Sequence, residues 1–453
     1  MRLAEHQALG SSMIDCVDAV ALWYQAGTGK TLTVLDWVYR HPGSDVLVVC
    51  PASLIGSWKA EIDGMSRFEE YNEQGIEFVR DSITITSFEK IYRTKTREVH
   101  KRSGEVAKKR EHTLREEVAK HWDLIAVDEA HGIGNHSSVR CKMMTRLSPY
   151  ADRRVIMTGT PVTGGGGKCD YSKLYGQLNF LQPGTIPTWT EFLKRYVVSL
   201  DRYGNPRAYN EPACEELMHR FGIFVRLDSI EDMPDTIETI VPVPIGRDAK
   251  VAYDDICHGR RRKWGIIVRS AGSQFTKLYQ LCSGSLIRDG ADTLEFPCPK
   301  DDALDDILNG TDGKVLIFCR FRASLKKIVA RYPDSVGLDG DSEVDVWKQV
   351  TEGDKRILVA QYTCGCSGLN LQCITTTVFY EPTLSSLELD QAKARTHRRG
   401  QTKRCRYLYL STEDSIEEDC IKSVIQGVDV TNAKMSEWGI ILNDDPDDLD
   451  DSK

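Results

Sequence analysis

The chain has 453 residues, which at roughly 100–200 residues per domain predicts two or three domains. Apolar residues make up 41% and charged residues 28%, so a wholly disordered chain and a fibrous repeat are both excluded. The formal net charge of −8 argues against a protein that holds nucleic acid through its overall charge.

Targeting and covalent features point to the cytoplasm. No run approaches the roughly 18 consecutive apolar residues of a membrane span, and the first ten residues lack the pattern of a signal peptide. We therefore expect no membrane partner and a cytoplasmic location. For a viral source this would be the host cytoplasm, and for a eukaryotic source the expected location would instead be the nucleus. The 14 cysteines are scattered singly, which predicts reduced thiols and no zinc site.

Short apolar runs rich in β-branched residues alternate with helix-period segments, which predicts an α/β fold with parallel sheets. The runs fall into two sets, and each set predicts one lobe. The predicted strands lie in 45–53, 82–88, 123–131 and 153–161 for the first lobe, and in 314–321, 356–363, 375–382 and 405–411 for the second.

Three segments depart from this alternation. Residues 93–121 carry roughly twice as many Lys and Arg as Glu, which favours a solvated helical excursion, with a nucleic-acid-facing arm as the alternative. Residues 164–313 hold a glycine run and the basic cluster 260–263, and we expect lobe insertions and the linker there. Residues 443–453 have six Asp against one Lys and are predicted to be a disordered tail. Without that tail the formal charge is about −3, which is compatible with a motor that holds nucleic acid through local basic stretches.

The strongest local signal is AGTGKT at 26–31, between a short apolar stretch and a helical run. Gly27 and Gly29 let the backbone curl so that its N–H groups face phosphate oxygens. Lys30 would reach the β- and γ-phosphates, and the Thr31 hydroxyl would bind Mg²⁺. Tyr24 stands where the full pattern has its first glycine, and the alternative is a glycine turn without a ligand.

Two further groups would complete a phosphate-transfer site. Asp128 follows an apolar strand and can hold Mg²⁺, and Glu129 can orient or deprotonate the attacking water. Arg395 and Arg398 are three residues apart, one helical turn, so both can face a γ-phosphate on which charge develops. The alternatives are an ordinary polar strand end and a solvated basic helix.

With these groups in this order, the chain resembles the superfamily 2 helicases, and within them the Swi/Snf-type ATP-dependent double-stranded DNA translocases. The resemblance covers about residues 2–425. The segments that carry it in the first lobe are RLAEHQALG (2–10), AGTGKT (26–31), PASLIGSWKAEI (51–62), TSFE (86–89), DEAHGIGNHSS (128–138), MTGTP (157–161) and KLYGQLNFLQPG (173–184). Those that follow are FVRLDSIEDMPDT (224–236), KVLIFCRF (314–321), CGCSGLNLQ (364–372) and QAKARTHRRGQTK (391–403).

The resemblance implies two RecA-like parallel-sheet lobes with helical insertions between them. The first ATP-binding lobe would span 1–235, with insertions at 93–121 and 164–235. The second would span 236–442 and begin with a helical insertion, and the acidic tail at 443–453 would follow. ATP and Mg²⁺ are the implied cofactors, and DNA in duplex form is the implied partner. No accessory module is recognisable beside this core in the sequence, which suggests a small genome or a separately encoded protein partner.

The resemblance also assigns site residues. Gln7 would read the adenine, and the loop that binds the phosphates would be Ala26, Gly27, Thr28, Gly29, Lys30 and Thr31. The catalytic residues would be Lys30, Glu129, Arg395 and Arg398, and the metal ligands Thr31 and Asp128. Nucleic-acid contacts would come from Ser53, Thr86, Ser87, Arg320 and Asn370. Coupling between the two sites would involve His131, Thr158, Thr160 and Gln391.

The implied function is a nucleic-acid motor in which hydrolysis of Mg·ATP drives translocation on double-stranded DNA. Closure of the two lobes on the nucleotide and reopening after hydrolysis would advance one lobe along the backbone. Two alternatives stay open: a helicase that separates the strands of DNA or RNA, and a nucleotide-gated DNA clamp without productive hydrolysis.

Overall fold

The computed structural model describes most of the chain, and the statements below concern these residues. They are 3–64, 82–100, 106–165, 168–201, 204–226, 233–268, 270–288, 292–343, 345–365, 369–398, 400–430 and 435. The acidic tail predicted at 443–453 lies outside the described residues.

The chain divides into two compact units, Met1–Glu231 and Asp232–Lys453, and each is built on a six-stranded sheet. All the strand pairs within both six-stranded sheets are parallel. The prediction of an α/β chain with two parallel-sheet lobes is therefore confirmed. No helix among the described residues combines the length and the apolar character that crossing a membrane requires.

In the first unit the sheet has the order β12-β1-β7-β6-β2-β3. The strands of the unit are β1 Ala19–Tyr24, β2 Val46–Cys50, β3 Ile83–Ser87, β4 Tyr92–His100, β5 Val106–Leu114, β6 Trp122–Asp128, β7 Ala151–Met157, β8 Thr163–Gly165, β9 Lys168–Asp170, β10 Val197–Leu200, β11 Pro206–Tyr209 and β12 Gly222–Val225. Its helices are α1 Glu5–Cys16, α2 Lys30–Arg40, α3 Ile55–Gly64, α4 Val139–Leu147, α5 Leu174–Leu181, α6 Trp189–Tyr196 and α7 Glu211–Phe221.

The first sheet is covered on both faces, which explains its unbroken apolar strands. Every residue of β2 is buried. In β1, Ala21 and Trp23 pack into one apolar cluster, whereas Leu22 and Tyr24 pack into a second cluster on the other face. Helices on both faces therefore fix the sheet, and its strand ends are held in place for a site.

The segment after β3 is a β-hairpin. Strands β4 and β5 are antiparallel, with Tyr92 opposite Leu114 and His100 opposite Val106. The helical excursion predicted for 93–121 is wrong. Basic residues and threonines alternate along 93–97 with a period of two, and that period belongs to a strand.

In the second unit the sheet has the order β13-β20-β19-β16-β18-β17. The strands are β13 Thr236–Val243, β14 Ser285–Ile287, β15 Thr293–Glu295, β16 Val315–Cys319, β17 Ser335–Leu338, β18 Ile357–Gln361, β19 Thr376–Phe379 and β20 Cys405–Thr412. The helices are α8 Arg247–Cys257, α9 Ala271–Cys282, α10 Pro299–Asn309, α11 Arg322–Arg331, α12 Lys348–Thr351, α13 Tyr362–Gly365, α14 Ser386–Lys393 and α15 Ile416–Ile425. Helices α8 and α9 lie between β13 and β14, near the start of this unit.

A fully buried ion pair lies in the core of the second unit. The Lys300 ammonium donates to Glu417 Oε1 at 2.6 Å and to the carbonyl of Tyr380 at 2.9 Å. The second oxygen of Glu417 accepts from the Thr412 amide. Both charges are paired and hydrogen-bonded, as burial requires, and they join α10 and α15 to the ends of β19 and β20.

Candidate nucleotide site

The phosphate loop connects β1 to α2, and its shape depends on two glycines. Gly27 and Gly29 have φ values of 86° and 87°, in the left-handed region that favours glycine. A Cβ at Gly29 would also collide with the side-chain nitrogen of Gln7. The loop backbone therefore curls between the end of a strand and the start of a helix, which is the geometry of an anion site.

Helix α1 packs against this loop through Gln7, whose side chain is 1% exposed. Gln7 Oε1 accepts from the Ala4 amide at 2.9 Å. Its Nε2 donates to the carbonyls of Thr28 and Gly29 at 3.3 and 3.4 Å. Gln7 thus holds the loop, and its assignment to the adenine stays a prediction.

Lys30 and Tyr24 fix the base of the loop. The Lys30 ammonium donates to the carbonyl of Tyr24 at 3.0 Å, and the Tyr24 hydroxyl donates to the carbonyl of His6 at 2.7 Å. Tyr24 is fully buried, and this burial raises the pKa of its hydroxyl. The residue that departs from the glycine pattern therefore has a packing role. Thr31 lies in the first turn of α2, next to Lys30.

The acid pair lies at the end of β6. Asp128 Oδ2 accepts from the indole Nε1 of Trp58 at 3.0 Å, and its Oδ1 accepts from the Glu129 amide at 2.9 Å. Burial, with a smaller contribution from the neighbouring Glu129 carboxylate, raises the pKa of Asp128 to about 6, and the Lys30 charge opposes that rise. Glu129 itself has φ 49°, a left-handed conformation that is uncommon for a residue with a side chain.

These residues fit a divalent cation. A buried carboxylate beside a second carboxylate is destabilised in its charged form, and a cation would relieve that cost. The hard oxygen donors of Asp128 and Thr31 suit Mg²⁺, which commonly binds through one or two protein oxygens together with substrate phosphates.

The predicted coupling residues of the first unit are gathered beside Glu129. His131 Nδ1 lies 3.2 Å from Thr158 Oγ1 and 3.3 Å from Glu129 Oε2. The Thr160 amide donates to Thr158 Oγ1 at 3.1 Å. Between the two threonines, a Cβ at Gly159 would lie 3.0 Å from the Ala26 amide nitrogen. This segment therefore joins the acid pair to the phosphate loop.

The arginine segment of the second unit differs from the prediction. Helix α14 ends at Lys393, so Arg395 and Arg398 lie in the turns that follow and are not one turn apart on a helix. Arg395 Nε donates to the carbonyl of Gln391 at 3.1 Å, and the Leu371 amide donates to the carbonyl of Arg395, also at 3.1 Å. Gln391 thus helps to position the Arg395 side chain, and the bond from Leu371 holds the backbone of the turn that contains Arg395.

The predicted nucleic-acid contacts occupy different environments. Ser53 is exposed just after β2, and Thr86 is partly buried in the adjacent strand β3. Ser87 is only 3% exposed, so its side chain is not accessible to a nucleic-acid backbone. In the second unit Asn370 is exposed, whereas the amide of Arg320 donates to Glu381 Oε2 at 2.8 Å.

The basic cluster 260–263 has an internal partner that sequence reasoning missed. Asp255 is 5% exposed and accepts from Arg260 Nε at 2.7 Å, Lys263 Nζ at 2.8 Å and Trp264 Nε1 at 3.0 Å. Arg261 is itself 6% exposed. Much of this cluster is therefore used within the unit, which weakens its interpretation as a nucleic-acid contact.

The two parallel sheets, the phosphate loop and the strand-end acid pair define a two-lobed α/β protein with a nucleotide-type phosphate site. Comparison with protein families places it further. A SNF2-related domain matches residues 19–261, and a helicase conserved C-terminal domain matches residues 299–400. The chain belongs to the SNF2-related family.

Individual relatives are distant in sequence. Human chromodomain-helicase-DNA-binding protein 1 is 22% identical over 92% of this chain and 26% of its own length. The transcription regulatory protein SNF2 of Saccharomyces cerevisiae is 22% identical over 90% of this chain and 26% of its own length. The chain thus spans about a quarter of the length of these two relatives. The Sulfolobus solfataricus SWI2/SNF2 ATPase core in complex with dsDNA is 20% identical, with a TM-score of 0.40, and the match covers 98% of this chain and 95% of that one.

Proposed function

We propose that the chain is an ATP-dependent motor in which hydrolysis of Mg·ATP drives translocation on double-stranded DNA. The observation that carries the proposal is the set of contacts that links the phosphate loop, the acid pair and the segment 158–160 within one unit. A loop that only needed a tight turn would not require a buried Asp128 and a neighbouring Glu129 beside it.

The chemistry divides among the chain's own residues. The loop amides and Lys30 hold the phosphates, and Glu129 orients the attacking water and accepts its proton. When bound, Mg²⁺ would neutralise charge on the β- and γ-phosphate oxygens, and Thr31 and Asp128 would hold it. The role assigned to Arg395 and Arg398, to stabilise the negative charge that would develop on the transferred group, stays a prediction.

The contacts around Glu129 support a route from nucleotide to nucleic acid. His131 contacts both Glu129 and Thr158, so a change in the position of the Glu129 carboxylate alters the segment 158–160. The exposed Ser53 lies after the strand next to β6 in the same sheet. A contact from Ser53 to nucleic acid would go to phosphates and sugars, so we expect little preference for a particular DNA sequence.

The primary test compares ATPase rates with no nucleic acid, single-stranded DNA, duplex DNA and RNA. We expect duplex DNA to stimulate turnover most. If none of the three nucleic acids changes the rate measured without nucleic acid, the motor proposal fails. A nucleotide-gated clamp then remains only if duplex binding depends on nucleotide.

A second test separates translocation from strand separation. A third strand on a DNA triplex should be displaced in an ATP-dependent manner, whereas forked and blunt duplexes should stay paired. Unwinding of the forked duplex at a comparable rate would favour the helicase alternative.

A further inference from the structure

The hairpin formed by β4 and β5 is a strongly basic segment of an otherwise acidic chain. Residues 92–114 contain eight Lys or Arg against three Glu, whereas the whole chain has a formal charge of −8. A two-stranded ribbon with polar residues on both faces contributes little to a core. Its charge therefore needs another explanation.

The register places a row of basic residues on one face. Arg93, Lys95 and Arg97 alternate along β4, and all three are exposed. Their cross-strand partners on β5 are Thr113, Glu111 and Lys109 in that order. Because successive side chains of a strand point to opposite faces, Arg93, Lys95 and Arg97 share one face of the ribbon with Thr113 and Glu111.

The other face anchors the hairpin at its base. Tyr92 and Leu114 pack against the core of the first unit, and the Tyr92 ring meets the His112 ring edge-on. Arg146 of α4 donates to the carbonyl of His112 at 3.1 Å. The orientation of the ribbon is thus fixed, and the basic row faces solvent.

The acidic groups near this row do not neutralise it. Arg97 pairs with Glu111 at 3.4 Å and Arg93 with Glu117 at 3.1 Å, and all four side chains are at least half exposed. Exposed pairs of this kind stabilise a fold very little and are easily exchanged for another anion.

We propose that the face with Arg93, Lys95 and Arg97 binds the sugar-phosphate backbone of duplex DNA, as an accessory contact outside the nucleotide site. The inference rests on the proposed function and names a surface for it. Alternate residues of an antiparallel strand are roughly 6.8 Å apart, and a DNA strand places a phosphate about every 3.4 Å along the helix axis. Because a DNA strand also winds around that axis, successive phosphates are further apart in space than the axial rise, and side chains spaced along the row can meet phosphates of one strand. Over 93–97 and the partner positions Thr113 and Glu111 this face carries no apolar residue, which suits a phosphate contact better than a protein partner.

The test is the salt dependence of binding to a fluorescent 30-base-pair duplex, measured by anisotropy without nucleotide. Each lost phosphate contact should reduce the slope of log K against log salt by about 0.9. We expect Lys95→Ala to reduce the slope by about 0.9, and replacement of all three basic residues by Ala to reduce it by up to about 2.7.

Arg110→Ala is the matched control, because Arg110 is exposed on the opposite face of the same hairpin, across from Thr96. It removes the same charge and should leave the slope within error of the wild-type value. Equal slopes for Lys95→Ala and Arg110→Ala, or a triple variant that binds like the wild type, overturn the proposal while the motor function stands. A wild-type protein that neither binds duplex nor responds to it in the ATPase assay overturns both.

Discussion

The indole nitrogen of Trp58 donates a hydrogen bond to the Asp128 carboxylate over 3.0 Å, across 70 positions of sequence. Trp58 lies on α3 and is 1% exposed, whereas Asp128 ends the central strand β6. Asp128, the proposed metal ligand, is thus oriented by Trp58, whose uncharged side chain has no role of its own in binding phosphate charge. Trp58 is a positioning residue.

Replacing Trp58 by Phe should therefore impair turnover. A hydrogen bond to a charged group contributes about 1.5–3 kcal/mol, so kcat for ATP hydrolysis should fall by roughly ten- to a hundredfold. Trp37→Phe is the control, because Trp37 makes the equivalent bond to Asp15 at 2.7 Å, away from the acid pair. If both variants lose stability but keep equal kcat values, Trp58 has no positioning role.

Glu129→Gln should separate binding from hydrolysis. Loss of a general base costs about 10²–10⁴ in rate, whereas the loop amides and Lys30 still hold the nucleotide. Steady-state ATPase assays and titration of a fluorescent nucleotide measure the two effects. Lys30→Ala should weaken the binding as well, and undiminished turnover in Glu129→Gln would remove its assigned role.

Arg398→Ala should reduce turnover more than binding. An arginine that stabilises the transferred phosphoryl group is worth about 10³–10⁵ in rate, and Arg398→Lys should not restore it because the planar, multiply donating guanidinium is lost. Arg404→Ala is the control, since Arg404 follows Arg398 closely in the sequence but is exposed and pairs with Asp235 at 3.6 Å. Equal kcat values for the Arg398 and Arg404 variants would contradict the assignment.

Asp255→Asn should destabilise the second unit in a pH-dependent manner. Hydrogen bonds from Lys263 and Arg260 hold the pKa of this carboxyl well below its usual value. A carboxyl whose pKa is lower in the folded state stabilises the fold above its unfolded pKa of about 3.9, and that contribution is lost as the pH falls through the folded value. The substitution should thus lower the free energy of unfolding by about 2 kcal/mol at pH 7, and by progressively less as the pH falls below about 4.

Urea unfolding at pH 7 and near pH 3 would measure this difference. Asp254→Asn is the control, because the Asp254 carboxylate is exposed and forms an i,i+4 pair with Lys250. It should change the free energy of unfolding by no more than about 0.5 kcal/mol. A constant effect of Asp255→Asn at both pH values would rule out the ion pairs as its cause.

The parallel strands could be predicted because burial on both faces produces unbroken apolar runs such as 46–50. The phosphate loop and the acid pair were predictable for a related reason, since their side chains follow directly on such strands. Contacts between distant positions, such as Trp58 with Asp128 or Gln7 with Thr28, leave no local pattern and could not be read from the sequence.

Two errors have physical causes in the residues themselves. In 93–97 the high charge is compatible with an exposed helix, but the alternation of basic residues and threonines has the period of two that predicts a strand. After Lys393 the chain leaves the helix: the Arg395 amide donates to the carbonyl of Ala392, three residues back, and the carbonyl of Arg395 accepts from the distant Leu371 amide. Spacing along the sequence cannot report such tertiary competition for backbone groups.

The contact between Tyr24 and α1 couples local unfolding of this helix to the phosphate loop. Gly10 lies so close to the Tyr24 hydroxyl that a Cβ would collide with it, and the same hydroxyl bonds the His6 carbonyl. The helix cannot detach without also releasing the Gln7 bonds to Thr28 and Gly29. Helix α1 and the loop thus open as one cooperative unit, so amide exchange in a helix outside the sheet reports directly on the integrity of the nucleotide site.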